Sequence, residues 1–213
     1  LPTARHLDPS YHRDEVLHVG DIPYIFSERK MNLPNVLTIL RIIAAPIIAI
    51  LIWRETSNEQ LIIAFLLFCV AGLTDWLDGY VARKFEIESH LGRILDPIAD
   101  KVLLACVLLA LASHYTRDWL FIAPALIIFL REFIISGFRE YMSKEGIVIN
   151  VSALAKWKTT LQLVAIGLII VSMIFAENEF VNHISVATLW LSAIVTIQTA
   201  FDYIKLGLSE LKH

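Results

Sequence analysis

Six apolar stretches of about twenty residues, parted by short polar joints, constrain this chain more than any other feature. They run over roughly 34–54, 60–82, 93–114, 119–141, 155–176 and 183–206. A bilayer core about 30 Å thick takes about 20 residues of helix, so each stretch is long enough to cross it. Hydrophobic residues make up 57% of the 213 and charged residues 18%. An average soluble domain has roughly 45–50% and 25%. A disordered chain is excluded on that ground, and the composition argues against an ordinary soluble domain. The expected fold is all-α: a polytopic membrane protein with six transmembrane helices. The joints are too short to hold a second domain. Residues 31–213 therefore read as one membrane domain, preceded by an extension or juxtamembrane segment over 1–30. That segment is polar, and its His6, His12 and His18 share no helical face. It reads as an extension, a processed leader or an interfacial helix.

Lys and Arg orient the bundle. With a cytoplasmic N-terminus, the outer joints 54–59, 113–118 and 176–182 carry only Arg54 and Arg117 of the 18 basic residues. The positive-inside rule then places both termini in the cytoplasm. Trp53, Trp119 and Trp190 fall toward the outer interface. Net charge is −3, which offers no basic face to nucleic acid. Cys69 and Cys106 sit inside apolar runs and read as packing residues.

Carboxylates inside such a chain are costly, at about 2.5–3.5 kcal/mol each at a helix centre. Four of them cluster in sequence. Asp75 and Asp78, with Gly79 and Ala82, fall at i, i+3, i+4 and i+7 on one helical face at the cytoplasmic end of the second segment. Gly92, Asp96 and Asp100 fall at i, i+4 and i+8 at the start of the third. A short joint makes the two ends neighbours, so the stripes are expected to face each other. Two unit charges 5 Å apart repel by about 3 kcal/mol at an effective dielectric near 20. Protons or divalent cations must therefore neutralise the cluster. All-oxygen ligands favour a hard cation, Mg²⁺ or Mn²⁺, and four carboxylates suit two cations about 4 Å apart. Gly79, Ala82 and Gly92 keep the groove open beside them, and Arg83 adds a forked donor suited to phosphate. The plain alternative is helix capping, or pairing with Arg83, Arg93 and Lys101. It accounts for one or two of these residues but not for two facing stripes.

The run Asp75–Trp–Leu–Asp78–Gly79–Tyr–Val–Ala82–Arg83, then eight residues, then Gly92–Arg–Ile–Leu–Asp96–Pro–Ile–Ala–Asp100, resembles the signature D-x2-D-G-x2-A-R-x8-G-x3-D-x3-D. That signature belongs to the CDP-alcohol phosphotransferases, and every fixed position is matched. The resemblance implies two divalent cations, Mg²⁺ or Mn²⁺, held by Asp75, Asp78, Asp96 and Asp100, with Asp100 as general base. It implies CDP-diacylglycerol as donor, with Pro34, Asn35, Thr38, Arg41, Gly79, Ala82, Arg83, Ser89 and Gly92 at the donor site. It also implies a homodimer in a bacterial or mitochondrial inner membrane, in contact with membrane lipid. The stretches NLPNVLTILRIIAAP (32–46), REFIISGFRE (131–140) and KWKTTLQ (156–162) resemble the branch of the family whose acceptor is glycerol 3-phosphate. Branches that use phosphatidylglycerol or inositol phosphate share the main motif.

An acceptor with about two negative charges needs cations near the metals. Arg131, Arg139, Lys156 and Lys158 are the candidates, with Glu132 and Glu140 as purely structural partners for the arginines. From a different class, a cation transporter also clusters intramembrane Asp, but near the midplane and often with internal repeats.

Overall fold

The computed structural model describes residues 33–85, 90–147 and 153–210, with side chains described over 35–74, 95–147 and 157–210. Six helices account for nearly all of it: α1 (Leu33–Arg54), α2 (Asn58–Phe85), α3 (His90–His114), α4 (Trp119–Lys144), α5 (Ala153–Ile174) and α6 (Glu179–Glu210). No strand occurs among the described residues. Each of the six apolar stretches became a helix. Several ends run three or four residues past the apolar boundary, because backbone hydrogen bonding continues into the polar turns. Asp118 caps α4, its carboxylate accepting from the Leu120 N–H at 2.9 Å. Pro46, Pro97 and Pro124 lie inside helices. In a membrane bundle the carbonyl that proline leaves free is satisfied by neighbours.

Among the described residues, four helices are long and apolar enough to cross a membrane: Asn35–Arg54, Trp119–Lys144, Trp157–Ile174 and Glu179–Glu210. In α2 the described apolar stretch is Asn58–Thr74.

The packing pairs close a ring. α1 packs on α2 and α3, α3 on α4, α4 on α6, α6 on α5, and α5 on α2. The order around the bundle is therefore α1–α3–α4–α6–α5–α2, which differs from chain order. Along their described lengths α2 and α3 are each packed on α1, which lies between them. The facing of Asp75 and Asp78 with Asp96 and Asp100 involves side chains outside the described residues.

The ring has an apolar half and a polar half. Ile48, Ile52, Leu111, Phe121, Ile128, Ile166, Ile169, Ile170 and Leu189 are fully buried in the first. Asn35, Thr38, Arg41, Lys158, Gln162, Thr196 and Thr199 are buried in the second. Successive helices alternate in direction, so the N-terminal ends of α1, α3 and α5 join the C-terminal ends of α2, α4 and α6. Among the described residues, all the buried polar side chains except Ser172, Ser185 and Ser192 belong to that one end. Cys69 and Cys106 are free and half-buried, as expected of packing residues.

At the opposite end a single side chain ties α3 to α1. His114 Nδ1 lies 2.6 Å from Glu55 Oε2, and its Nε2 lies 2.8 Å from the Ile52 carbonyl oxygen. Both acceptors are on the last turn of α1 or just beyond it. His114→Leu removes both contacts. Each is worth about 0.5–1.5 kcal/mol at most, less for the exposed glutamate. The expected result is a fall of a few degrees in melting temperature in detergent, at roughly 2–4 °C per kcal/mol. Turnover should stay near wild type, because Asp100 is about 20 Å away along α3 at 1.5 Å per residue.

Candidate active site

The polar end is built from the first turns of α1 and α3. Asp96 and Asp100 are one turn apart on α3 and share a face. Thr38 on α1 donates its hydroxyl to Asp96 Oδ1 at 2.7 Å. Arg41, one turn further along α1, donates Nη1 to Asp100 Oδ1 at 3.3 Å and Nε to the Ala71 carbonyl of α2 at 3.2 Å. One guanidinium thus spans the two motif helices. Its side chain is 1% exposed, while that of Asp100 is 50% exposed. The aspartate is therefore held by a buried cation while half of its own side chain is exposed.

Arg41 thus supplies Asp100 with a counter-charge that the sequence analysis did not pair with it. Thr38 and Arg41, both expected at the donor site, each meet a motif carboxylate. Asn35 is buried on the same helix. Asp75, Asp78, Gly79, Ala82 and Arg83 lie on the last turns of α2, Gly92 on the first turn of α3 and Pro34 on the first of α1. Their side chains, and Ser89 altogether, fall outside the described residues. Among those described, no group of three or more His, Cys, Asp or Glu is gathered for a metal. Asp96 and Asp100 nonetheless suit a hard cation. Both are exposed oxygen donors on one face, with no sulfur or imidazole beside them among the described residues.

Beside Asp100 lies a cavity of about 180 Å³, walled by Pro97, Asp100 and Lys101 of α3, Arg131, Glu132, Ile135, Ser136 and Arg139 of α4, Lys158 and Thr159 of α5, and Tyr203 of α6. Three of the four expected acceptor ligands, Arg131, Arg139 and Lys158, therefore meet at one place. Lys156 lies on the first turn of α5, and its side chain is outside the described residues. A smaller cavity of about 100 Å³ adjoins it and shares Asp100, Lys101, Glu132 and Thr159. Asp100 stands at the wall of both.

Each cation in the larger cavity is steered. Arg131 donates Nη2 to Thr199 Oγ1 of α6 at 3.1 Å and Nη1 to Glu132 at 3.4 Å. Lys158 is ion-paired with Glu132, and Gln162 donates to the same Glu132 oxygen at 3.1 Å. Arg139 lies 5.7 Å from the centre of the Tyr203 ring, a cation–π contact. Lys101 donates to Ser136. Glu140, expected as a partner for Arg139, pairs with Lys144 at 3.0 Å instead, both being well exposed. The sequence reading set pairing with Glu132 against a place in the site for Arg131; the structure shows the pairing and puts Arg131 in the cavity wall.

Gln162, Thr199 and Tyr203 were not anticipated at or beside the cavity, and Glu132 only as a partner for an arginine. The i, i+4 spacing of Lys158 and Gln162 on one face of α5 was the available signal for Gln162. Nothing in the sequence places Thr199 or Tyr203 beside α4.

A helical membrane protein with paired carboxylates and a cation-lined cavity at one end of the bundle is the class that fold and site define. The family model for CDP-alcohol phosphatidyltransferases matches residues 31–198, and the chain belongs to that family. It is 38% identical over 174 residues to a protein of Rickettsia bellii, covering 82% of this chain and 94% of the relative. It is 37% identical over 184 residues to one of Haemophilus influenzae, covering 85% and 96%, and 33% identical over 184 residues to one of Shigella flexneri, covering 85% and 98%. All three relatives carry the name CDP-diacylglycerol–glycerol-3-phosphate 3-phosphatidyltransferase. Family membership sets aside the cation-transporter reading.

Proposed function

We propose that this chain transfers the phosphatidyl group of CDP-diacylglycerol to sn-glycerol 3-phosphate, giving phosphatidylglycerophosphate and CMP. The observation that carries the acceptor half is the cavity where Arg131, Arg139 and Lys158 meet beside Asp100. A small dianion is held by charge-assisted hydrogen bonds, and the cavity supplies forked and point-charge donors for one. The names of the relatives support both substrates.

In the reaction a free hydroxyl of glycerol 3-phosphate attacks the phosphorus that bears the diacylglycerol. A new O–P bond forms, the bond to the bridging diphosphate oxygen breaks, and CMP leaves. Asp100 accepts the hydroxyl proton from its place in the wall of the cavity. Arg41, buried behind it, orients that carboxylate. Arg131, Arg139 and Lys158 bind the acceptor phosphate and so aim its hydroxyl. Asp75, Asp78, Asp96 and Asp100 would hold two Mg²⁺ or Mn²⁺ ions, which supply charge neutralisation at the donor diphosphate. The acyl chains remain in lipid while nucleotide and acceptor arrive from the water side.

The same reading gives six membrane crossings, with the polar end and both termini in the cytoplasm. It places a homodimer in a bacterial inner membrane. The asymmetry of Lys and Arg supports the orientation. Labelled glycerol 3-phosphate tests the reading: the label should enter the lipid phase only when CDP-diacylglycerol is present, with CMP released in equal amount. Labelled lipid formed without CMP would contradict it.

The matched region begins at residue 31. A chain starting at Met31 is therefore expected to insert and to retain most of its turnover, measured as CMP release per folded enzyme. A folded but inactive truncation would bring residues 1–30 into the site.

A further inference from the structure

The mechanism above leaves Glu132 without a task, although it is the carboxylate on which most of the buried polar network converges. Its Oε1 takes Lys158 and Gln162 from α5 and Arg131 from its own helix. Gln162 Nε2 reaches on to Thr196 Oγ1 of α6 at 3.1 Å. Arg131 Nη2 reaches Thr199, one turn further along the same face of α6. The side chains are enclosed: Lys158 is 6% exposed, Arg131 11% and Glu132 18%. Three helices are thus joined through one carboxylate at the wall of the acceptor cavity.

Four cations line that cavity: Lys101, Arg131, Arg139 and Lys158. Without a balancing charge, like charges at a shared wall push apart, and a lysine has four rotatable bonds over which to do so. Glu132 balances one of them and fixes the directions of two. Arg131 also has a donor to spare, since its buried Nε has no partner among the described residues. A buried donor left unpaired is unfavourable unless something meets it when the site is filled.

We propose that Glu132 is the positioning residue of the acceptor site, holding the Lys158 ammonium and the Arg131 guanidinium where they meet the acceptor phosphate. This rests on the acceptor reading given above. Glu132 does not touch the reacting atoms. It acts by arranging cations before the substrate arrives, so that little ordering is left for the binding step. Its loss therefore shows in acceptor KM and not in donor KM.

Steady-state kinetics of the purified full chain in detergent micelles with CDP-diacylglycerol test this. Glu132→Gln keeps the shape and loses the charge. The expected result is a KM for glycerol 3-phosphate raised about 10- to 100-fold, with the donor KM within about twofold and kcat within about threefold, as for a charged contact made in ground and transition states alike. Glu132→Asp should recover part of the acceptor KM. Lys158→Met alone should raise the same KM. The double variant should raise it by at least about fivefold less than the product of the single effects, because one residue acts through the other.

A purely structural role would lower the melting temperature and leave both KM values of the folded fraction unchanged, and that result overturns the proposal. Multiplicative single effects, or a change confined to the donor KM, overturn it too. If Glu132→Gln does not fold, Gln162→Leu decides. It cuts the tie from the carboxylate to Thr196 and should raise the acceptor KM about two- to tenfold at constant donor KM. No change there counts against the proposal. A wild-type enzyme that ignores glycerol 3-phosphate but turns over another acceptor would sink the acceptor reading instead. The same split, measured with that acceptor, would then decide on Glu132.

Discussion

Asp100→Asn is expected to lower kcat by about 10²- to 10⁴-fold while CDP-diacylglycerol binding partly survives, the usual cost of losing a general base. Asparagine has the size of aspartate but cannot take a proton. The change also removes the charge paired with Arg41. That guanidinium keeps its bond to the Ala71 carbonyl, and Asp100 is half-exposed, so the bundle is expected to hold. A melting curve beside the kinetics separates the two effects. Asp75→Asn, Asp78→Asn and Asp96→Asn should each abolish turnover, because every one removes a charged oxygen ligand from a set of four. Excess EDTA should silence the wild type, and Mg²⁺ or Mn²⁺ should restore it. Full activity in excess chelator would contradict the role given to these carboxylates. A near-normal kcat for Asp100→Asn would remove it as the base.

The second large effect is on the acceptor. Arg131→Gln should raise the KM for glycerol 3-phosphate about 10- to 150-fold, the equivalent of one charged hydrogen bond at about 1.5–3 kcal/mol. The donor KM should change little. Glu132 keeps Lys158 and Gln162 as partners in this variant, and Thr199 keeps its bonds to the Val195 and Thr196 carbonyls. The wall around the missing guanidinium is thus still held, and the loss falls on binding. Arg139→Gln should act in the same direction but more weakly, since Arg139 is exposed and rests on Tyr203. A change confined to donor KM would move Arg131 to the diphosphate. Poor folding with unaltered kinetics would leave it a structural partner of Glu132.

The helices were legible because each apolar stretch is interrupted by charges at a joint, so period and length agree. Their ends were less so: α6 reaches Glu210 although its apolar run stops near 206, since helical hydrogen bonding needs no apolar side chain. The ring order was not legible. Helix neighbours in a membrane are chosen by side-chain fit between apolar faces that look alike in sequence. The same limit hid the contacts of the site. Arg41 and Asp100 are 59 positions apart, Arg131 and Thr199 68, and Glu132 and Gln162 30, and no periodicity links such pairs. What the sequence did carry was the chemistry. A carboxylate or an arginine inside an apolar run is costly enough to mark a site wherever the fold puts it. That argument singled out Asp75, Asp78, Asp96, Asp100 and Arg131, and the last three lie at the polar end of the bundle. It undervalued Glu132, because a lone glutamate next to an arginine reads as its neighbour's counter-ion.

The most direct measurement is an acceptor panel: purified enzyme and CDP-diacylglycerol, offered glycerol 3-phosphate, phosphatidylglycerol, inositol phosphate or no acceptor, with CMP and the lipid product both followed. Rapid CMP release with glycerol 3-phosphate alone, matched by phosphatidylglycerophosphate, is the expected result. Faster turnover with phosphatidylglycerol or inositol phosphate, or CMP release that is indifferent to the acceptor, would contradict it.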